Sequence, residues 1–134
     1  MASPGLSPAY QAVLRELQAE FLSLLPERIG ELRSALTLIE TDPAARTTVR
    51  RLGHRIAGTA ATVSLRDLGS VGRAIEDFVA SRESWTSSDV ALLSGAVELI
   101  GEWTSEALRP TDRREVSLID DPRYVALREA GGGR

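Results

Sequence analysis

The chain has no cysteine, no lysine and no asparagine, and a single histidine among 134 residues. Without cysteine there are no disulfides and no thiolate metal sites. One histidine also rules out a histidine-cluster metal site. Aromatic residues make up only 4% of the sequence, while hydrophobic residues make up 43%. A core is therefore available, and Leu, Ile, Val and Ala must build it, which suits helix packing. The net charge is only -3, too small to argue for a nucleic-acid or acidic-lipid partner. No apolar run reaches the roughly 18 residues of a membrane span. The opening "MASPGLSPAY" lacks the basic and apolar regions of a signal peptide. A cytoplasmic, soluble protein is expected. All 16 cationic residues are arginine, so every fixed positive charge is a planar fork of donors. The arginine-only usage points to a GC-rich bacterial genome.

What is present is helical periodicity. Residues 1–7 read as a flexible lead-in. From Pro8, the residues Tyr10, Leu14, Leu17, Phe21, Leu24, Leu32, Ala35 and Ile39 recur at helical spacing. The phase survives Pro26, so the pattern predicts one long helix over about 8–40, kinked near Pro26, or else two abutting helices. Asp42 and Pro43 mark the start of a second helix, to about Val63. "SLRD" resembles a capping box on Ser64 and Asp67 that opens a third helix, to about Ser81. That helix carries the stripe Leu68, Val71, Gly72, Ile75, Phe78 and Val79. A fourth helix begins after a Ser87 or Ser88 cap and ends near Arg109, before Pro110. No strand pattern stands out. The fold class is all-α, an antiparallel four-helix bundle over 8–109. Residues 110–134 form a loose tail, or one folded back through Leu118, Ile119 and Tyr124.

The lone histidine lies in "RRLGHRIAGTAATV", residues 50–63. At about 100° per residue, Ala45, Val49, Leu52, Ile56 and Val63 fall within roughly 40° of the side opposite His54. That is the buried stripe, so His54 faces solvent. Thr47, Arg50, Gly58 and Ala61 share its face, with Arg51 and Ala57 slightly further round. A mid-helix glycine costs about 1 kcal/mol relative to alanine, which points to a packing or access reason for Gly58. With Ala57 and Ala61 it leaves the imidazole approachable. Arg50, Arg51 and Arg55 supply a cationic rim suited to an incoming anion. The competing reading is a surface histidine without a task.

The stretch "LGHRIAGTAATVSLRDLGSVGRAIED" resembles the core signature of histidine-containing phosphotransfer (HPt) domains. His54, Ile56, Gly58, Thr59, Ala60, Val63, Leu65, Leu68, Ile75 and Glu76 carry the match. "EFLSLLPERIGELRSALTL" looks like the family's first helix, and the resemblance spans about residues 10–108. Two departures stand out: Ala57 replaces a frequent lysine, and Ser64 replaces a frequent glycine. The resemblance implies a phosphoryl carrier of a bacterial two-component phosphorelay. Such a domain has no ATP site and is not an autonomous catalyst. It accepts a phosphoryl group on His54, by analogy at Nε2, and exchanges it with a receiver-domain aspartate. No intrinsic cofactor or metal is implied, the Mg²⁺ coming from the receiver. The implied partners are a response-regulator receiver domain or a hybrid histidine kinase, and the implied state is a monomer. Leu22, Ala57, Ala61 and Arg66 are the candidate docking residues, with Ser70 and Arg73 on the polar rim of the third helix.

Three other readings compete. The first is a helical interaction module that is never phosphorylated. The second is the dimerising domain of a sensor kinase. Its box would place an acidic residue, an apolar residue and a proline where Arg55, Ile56 and Thr59 stand. The third, a triad hydrolase, lacks a scaffold for a nucleophile. Glu76 and Asp77 show no acid/base partner in the sequence.

Overall fold

The computed structural model describes residues 7–132. The expected lead-in over 1–7 therefore lies outside the described residues, except for Ser7. That residue caps α1 (Pro8–Leu36) by accepting a hydrogen bond from the Tyr10 backbone N–H at 3.0 Å, and Pro8 takes the first helical position, where no N–H is required. α2 (Pro43–Thr62) starts the same way, with the Asp42 carboxylate accepting from the Ala44 N–H at 2.9 Å. α3 covers Arg66–Ala80, α4 Ser87–Ala107 and α5 Pro122–Ala130. Among the described residues every regular element is helical.

α1 runs through Pro26 as one helix but stops at Leu36 rather than near 40. Beyond Leu36 the chain tightens into turns, with Leu38 and Ile39 donating to carbonyls three residues back. Arg46 then donates to the carbonyls of Ile39 and Glu40 at 2.8 and 2.7 Å. These bonds satisfy orphaned acceptors that a longer helix would have used internally.

The start of α3 corrects the expected capping box. Its N-cap position is Leu65, and no side chain caps it. Ser64 instead adopts a left-handed φ of 64°. The Leu65 N–H bonds the Ala60 carbonyl at 2.8 Å and the Ser64 N–H bonds that of Ala61 at 3.2 Å. This pair is the Schellman ending of α2. Ser64 thus serves the helix before it. A glycine would hold that φ without the roughly 1–2 kcal/mol that a Cβ costs there. The capping box of the chain lies at Thr86 and Asp89, ahead of α4. It supersedes the Ser87 or Ser88 cap.

The core gathers Leu25, Ile29 and Leu32 of α1, Val49, Leu52 and Ile56 of α2, the whole expected stripe of α3, and Leu93, Val97 and Ile100 of α4. α1 packs on α2 and α4, while α5 packs on α3 and α4. Leu17, Leu24 and Tyr10, expected inside, are exposed. Burial in α1 begins at Phe21 and follows Leu25 and Ile29, one residue out of phase with Leu24. Past Pro110 the chain returns to the bundle: Leu118, Tyr124 and Leu127 are buried, whereas Ile119 stays exposed. Arg123 fastens this return, donating to Glu102 at 2.7 and 2.9 Å and to Asp121.

The closest helix pairing is that of α2 with α3. A Cβ built on Gly53 would lie 2.9 Å from the Gly72 carbonyl oxygen and 3.1 Å from the Glu76 nitrogen. One built on Gly72 would lie 2.9 Å from the Ala57 nitrogen. Only glycine at both places lets the two backbones touch. This contact fixes the register between the elements that build the site.

Candidate functional site

His54 follows Gly53 directly, and Glu76 lies one turn past Gly72. The backbone crossing therefore brings the two side chains together. His54 Nδ1 and Glu76 Oε2 are 2.9 Å apart. The imidazole is 73% exposed and the Glu76 side chain 23%. The ring thus stands in solvent on the face away from Leu52 and Ile56, held from one side by a half-buried carboxylate. A carboxylate only accepts, so the contact places the ring proton on Nδ1. In the neutral ring Nε2 is left with its lone pair, pointing away from the hydrogen-bonded edge. The sequence offered no partner for Glu76, and the structure corrects this: its partner is the histidine.

An open groove of about 420 Å³ borders the ring. α2 contributes His54, Ala57, Gly58 and Ala61. α3 contributes Arg66, Gly69, Ser70, Arg73 and Glu76. The floor is small and apolar, and a Cβ on Gly58 would meet nothing within 4 Å. Six candidate site residues of the sequence line this groove with His54: Ala57, Gly58, Ala61, Arg66, Ser70 and Arg73. Arg50, Arg51 and Arg55 are exposed on α2 and do not line it. Leu22 is half-buried against the core and does not line it either.

The cations of the groove come from α3. Arg66 and Arg73 are seven residues apart, two helical turns on one face. Arg73 lies 3.8 Å from Asp77, a long ion pair between an exposed arginine and a half-buried aspartate. The Ser70 hydroxyl is turned back onto the Arg66 carbonyl, which leaves its oxygen free to accept. A helical wheel of α2 does not reveal Glu76 and Arg73 as neighbours of the ring, because both lie on α3. A signal was present, though. Gly53 and Gly72 each precede a functional side chain, by one residue and by four.

Among the described residues no helix is long and apolar enough to cross a membrane. No group of three or more His, Asp or Glu side chains is placed to hold a metal ion. The arrangement is that of a nucleophilic ring nitrogen on a rigid helix, with an apolar approach and arginine nearby. No curated protein and no solved structure matches the chain. A family model described as Hpt domain matches residues 16–107, from the first third of α1 to the end of α4, and the chain belongs to the Hpt domain family.

Proposed function

We propose that His54 is the phosphorylated residue, and that the protein carries a phosphoryl group to or from the aspartate of a receiver domain. Membership of the family implies histidine phosphotransfer in phosphorelay signalling, with response-regulator or kinase domains as partners. The observation that carries the assignment to His54 is its exposed ring, with Nδ1 bound to Glu76 and Nε2 open to solvent. Residues 8–107 act in this reading as an antiparallel four-helix bundle with α1 bent near Pro26. The setting is a bacterial two-component relay in the cytoplasm, and the working state is a monomer.

The chemistry follows from the geometry. The Nε2 lone pair attacks phosphorus in line. The N–P bond forms as the P–O bond to the aspartyl carboxylate breaks, and the bonding pair leaves with that carboxylate. The proton on Nδ1 stays in place. Positive charge that develops on the ring is met by Glu76 at hydrogen-bond distance. Phosphoryl transfer depends mainly on in-line placement and charge neutralisation, so a rigid exposed ring is sufficient on this side. The Mg²⁺ that such a transfer uses is assigned to the acidic pocket of the receiver. Ala57, Gly58 and Ala61 keep the approach low enough for a folded partner, and Arg66 edges it.

The test is transfer of radiolabel from a phosphorylated receiver domain. Label is expected on the wild type and absent from His54→Gln. A wild type that takes no label, or a His54→Gln variant that labels equally, would overturn the assignment in favour of an unphosphorylated interaction module.

A further inference from the structure

We infer that Arg73, reaching across from α3, is the residue that neutralises the phosphoryl group on His54. The arginines on the histidine's own helix do not serve this role. The inference rests on the phosphotransfer reading above.

A phosphoryl group carries close to two negative charges at neutral pH. At Nε2 it joins a ring whose other nitrogen already faces a carboxylate, so the site needs a compensating cation. α2 offers only Ala57, Gly58 and Ala61 to the groove, and its arginines 50, 51 and 55 do not line it. α3 offers Arg66 and Arg73.

Position along α3 separates these two. The ring is fixed at the level of Glu76, because Glu76 holds it. At about 1.5 Å of rise per residue, Arg73 begins about 4.5 Å from that level and Arg66 about 15 Å. Arg73 is therefore the cation beside the ring, and Arg66 stands at the far end of the groove, where only a docked partner meets it.

The present partner of Arg73 is weak. Asp77 lies 3.8 Å away, and the arginine side chain is 77% exposed. Pairs of this kind contribute little and exchange readily. A phosphoryl group presents oxygens that match the guanidinium fork bidentately, so Arg73 exchanges Asp77 for the phosphoryl group when His54 is loaded. The absence of a cation at position 57 is thereby met from the neighbouring helix.

The experiment uses the full chain and radiolabelled phosphoramidate, a small donor that removes receiver docking from the measurement. Its P–N bond breaks as the Nε2–P bond forms, and ammonia leaves with the bonding pair. Arg73→Ala is expected to label about tenfold more slowly than wild type and Arg73→Lys to be intermediate, as for loss of one charge-assisted bond. Arg50→Ala, Arg51→Ala and Arg55→Ala are expected to stay within about twofold of wild type. Asp77→Asn frees Arg73 and is expected to label faster, a gain that a merely structural role would not produce. A labelled wild type with an unaffected Arg73→Ala variant overturns this inference alone, as does an equal loss in the α2 variants. A wild type that takes no label overturns the phosphotransfer reading itself.

Discussion

At the scale of single residues the site is a hydrogen-bonded pair, and the two members have different duties. In the proposed reading His54 supplies the nucleophilic nitrogen, while Glu76, 2.9 Å from Nδ1, fixes which nitrogen that is. The duties can be separated by substitution. Glu76→Gln keeps an oxygen that accepts from Nδ1–H but removes the charge. Glu76→Ala removes both. We expect Glu76→Ala to lower the labelling rate of His54 on the order of tenfold, the scale seen when a partner that orients a histidine is lost. Glu76→Gln should fall between it and wild type. The ¹⁵N shifts of the ring report the cause directly: one protonated Nδ1 in wild type and Glu76→Gln, and a tautomer mixture in Glu76→Ala. Equal spectra in all three would mean that Glu76 does not orient the ring.

At the scale of elements the decisive contact is the glycine crossing of α2 and α3. Gly72→Ala would push a methyl group to within 2.9 Å of the Ala57 nitrogen and 3.0 Å of the Gly53 oxygen. These are backbone atoms and cannot swing aside. The expected cost is about 1–3 kcal/mol, measured by urea unfolding. A slower labelling of His54 should accompany it, because the helices must separate where they hold the pair together. Much of each helix was legible in sequence alone. The wheel of α2 put His54 opposite Leu52 and Ile56, and the α3 stripe from Leu68 to Val79 is buried throughout. What was not legible depends on two elements at once, or on a backbone angle. Glu76 could not be paired with His54 without the register that Gly53 and Gly72 impose. Ser64 followed by Asp67 reads as a cap in one dimension, but the φ of 64° at Ser64 assigns it to the end of α2. In α1 no residue before Phe21 is buried, so Tyr10 and Leu17 stay exposed, and Leu25 rather than Leu24 faces the core.

At the scale of the whole molecule the matched family segment ends at 107, yet the folded chain continues. Residues 113–118 close a cavity of about 460 Å³ together with Trp103 and the α2–α3 turn, and Arg66 lines both this cavity and the His54 groove. The attachment is electrostatic at two places. Hydrogen bonds from Arg123 hold the Glu102 and Asp121 carboxyls below their usual range, against the opposing effect of burial. Burial would raise the Glu106 carboxyl, but the side-chain and backbone hydrogen bonds of Arg114 outweigh it and hold it low. Groups lowered in the folded state stabilise it fully above their unfolded values, near pH 4. That contribution fades as pH falls through the folded ones. The tail should therefore loosen below about pH 4. In a Trp85→Phe background the emission of Trp103 reports this. A shift is expected on acidification, and an invariant spectrum to pH about 2 would show that the ion pairs do not hold the tail.

The backbone crossing has one more consequence. Since α2 and α3 meet through glycine carbonyls and amides, the distance between His54 and Glu76 depends on no side chain that faces outward. Arg66, Ser70 and Arg73 line the groove beside the ring and take no part in that backbone contact. Arg66 and Ser70 can therefore be replaced to suit a new partner while the ring and its carboxylate remain undisturbed.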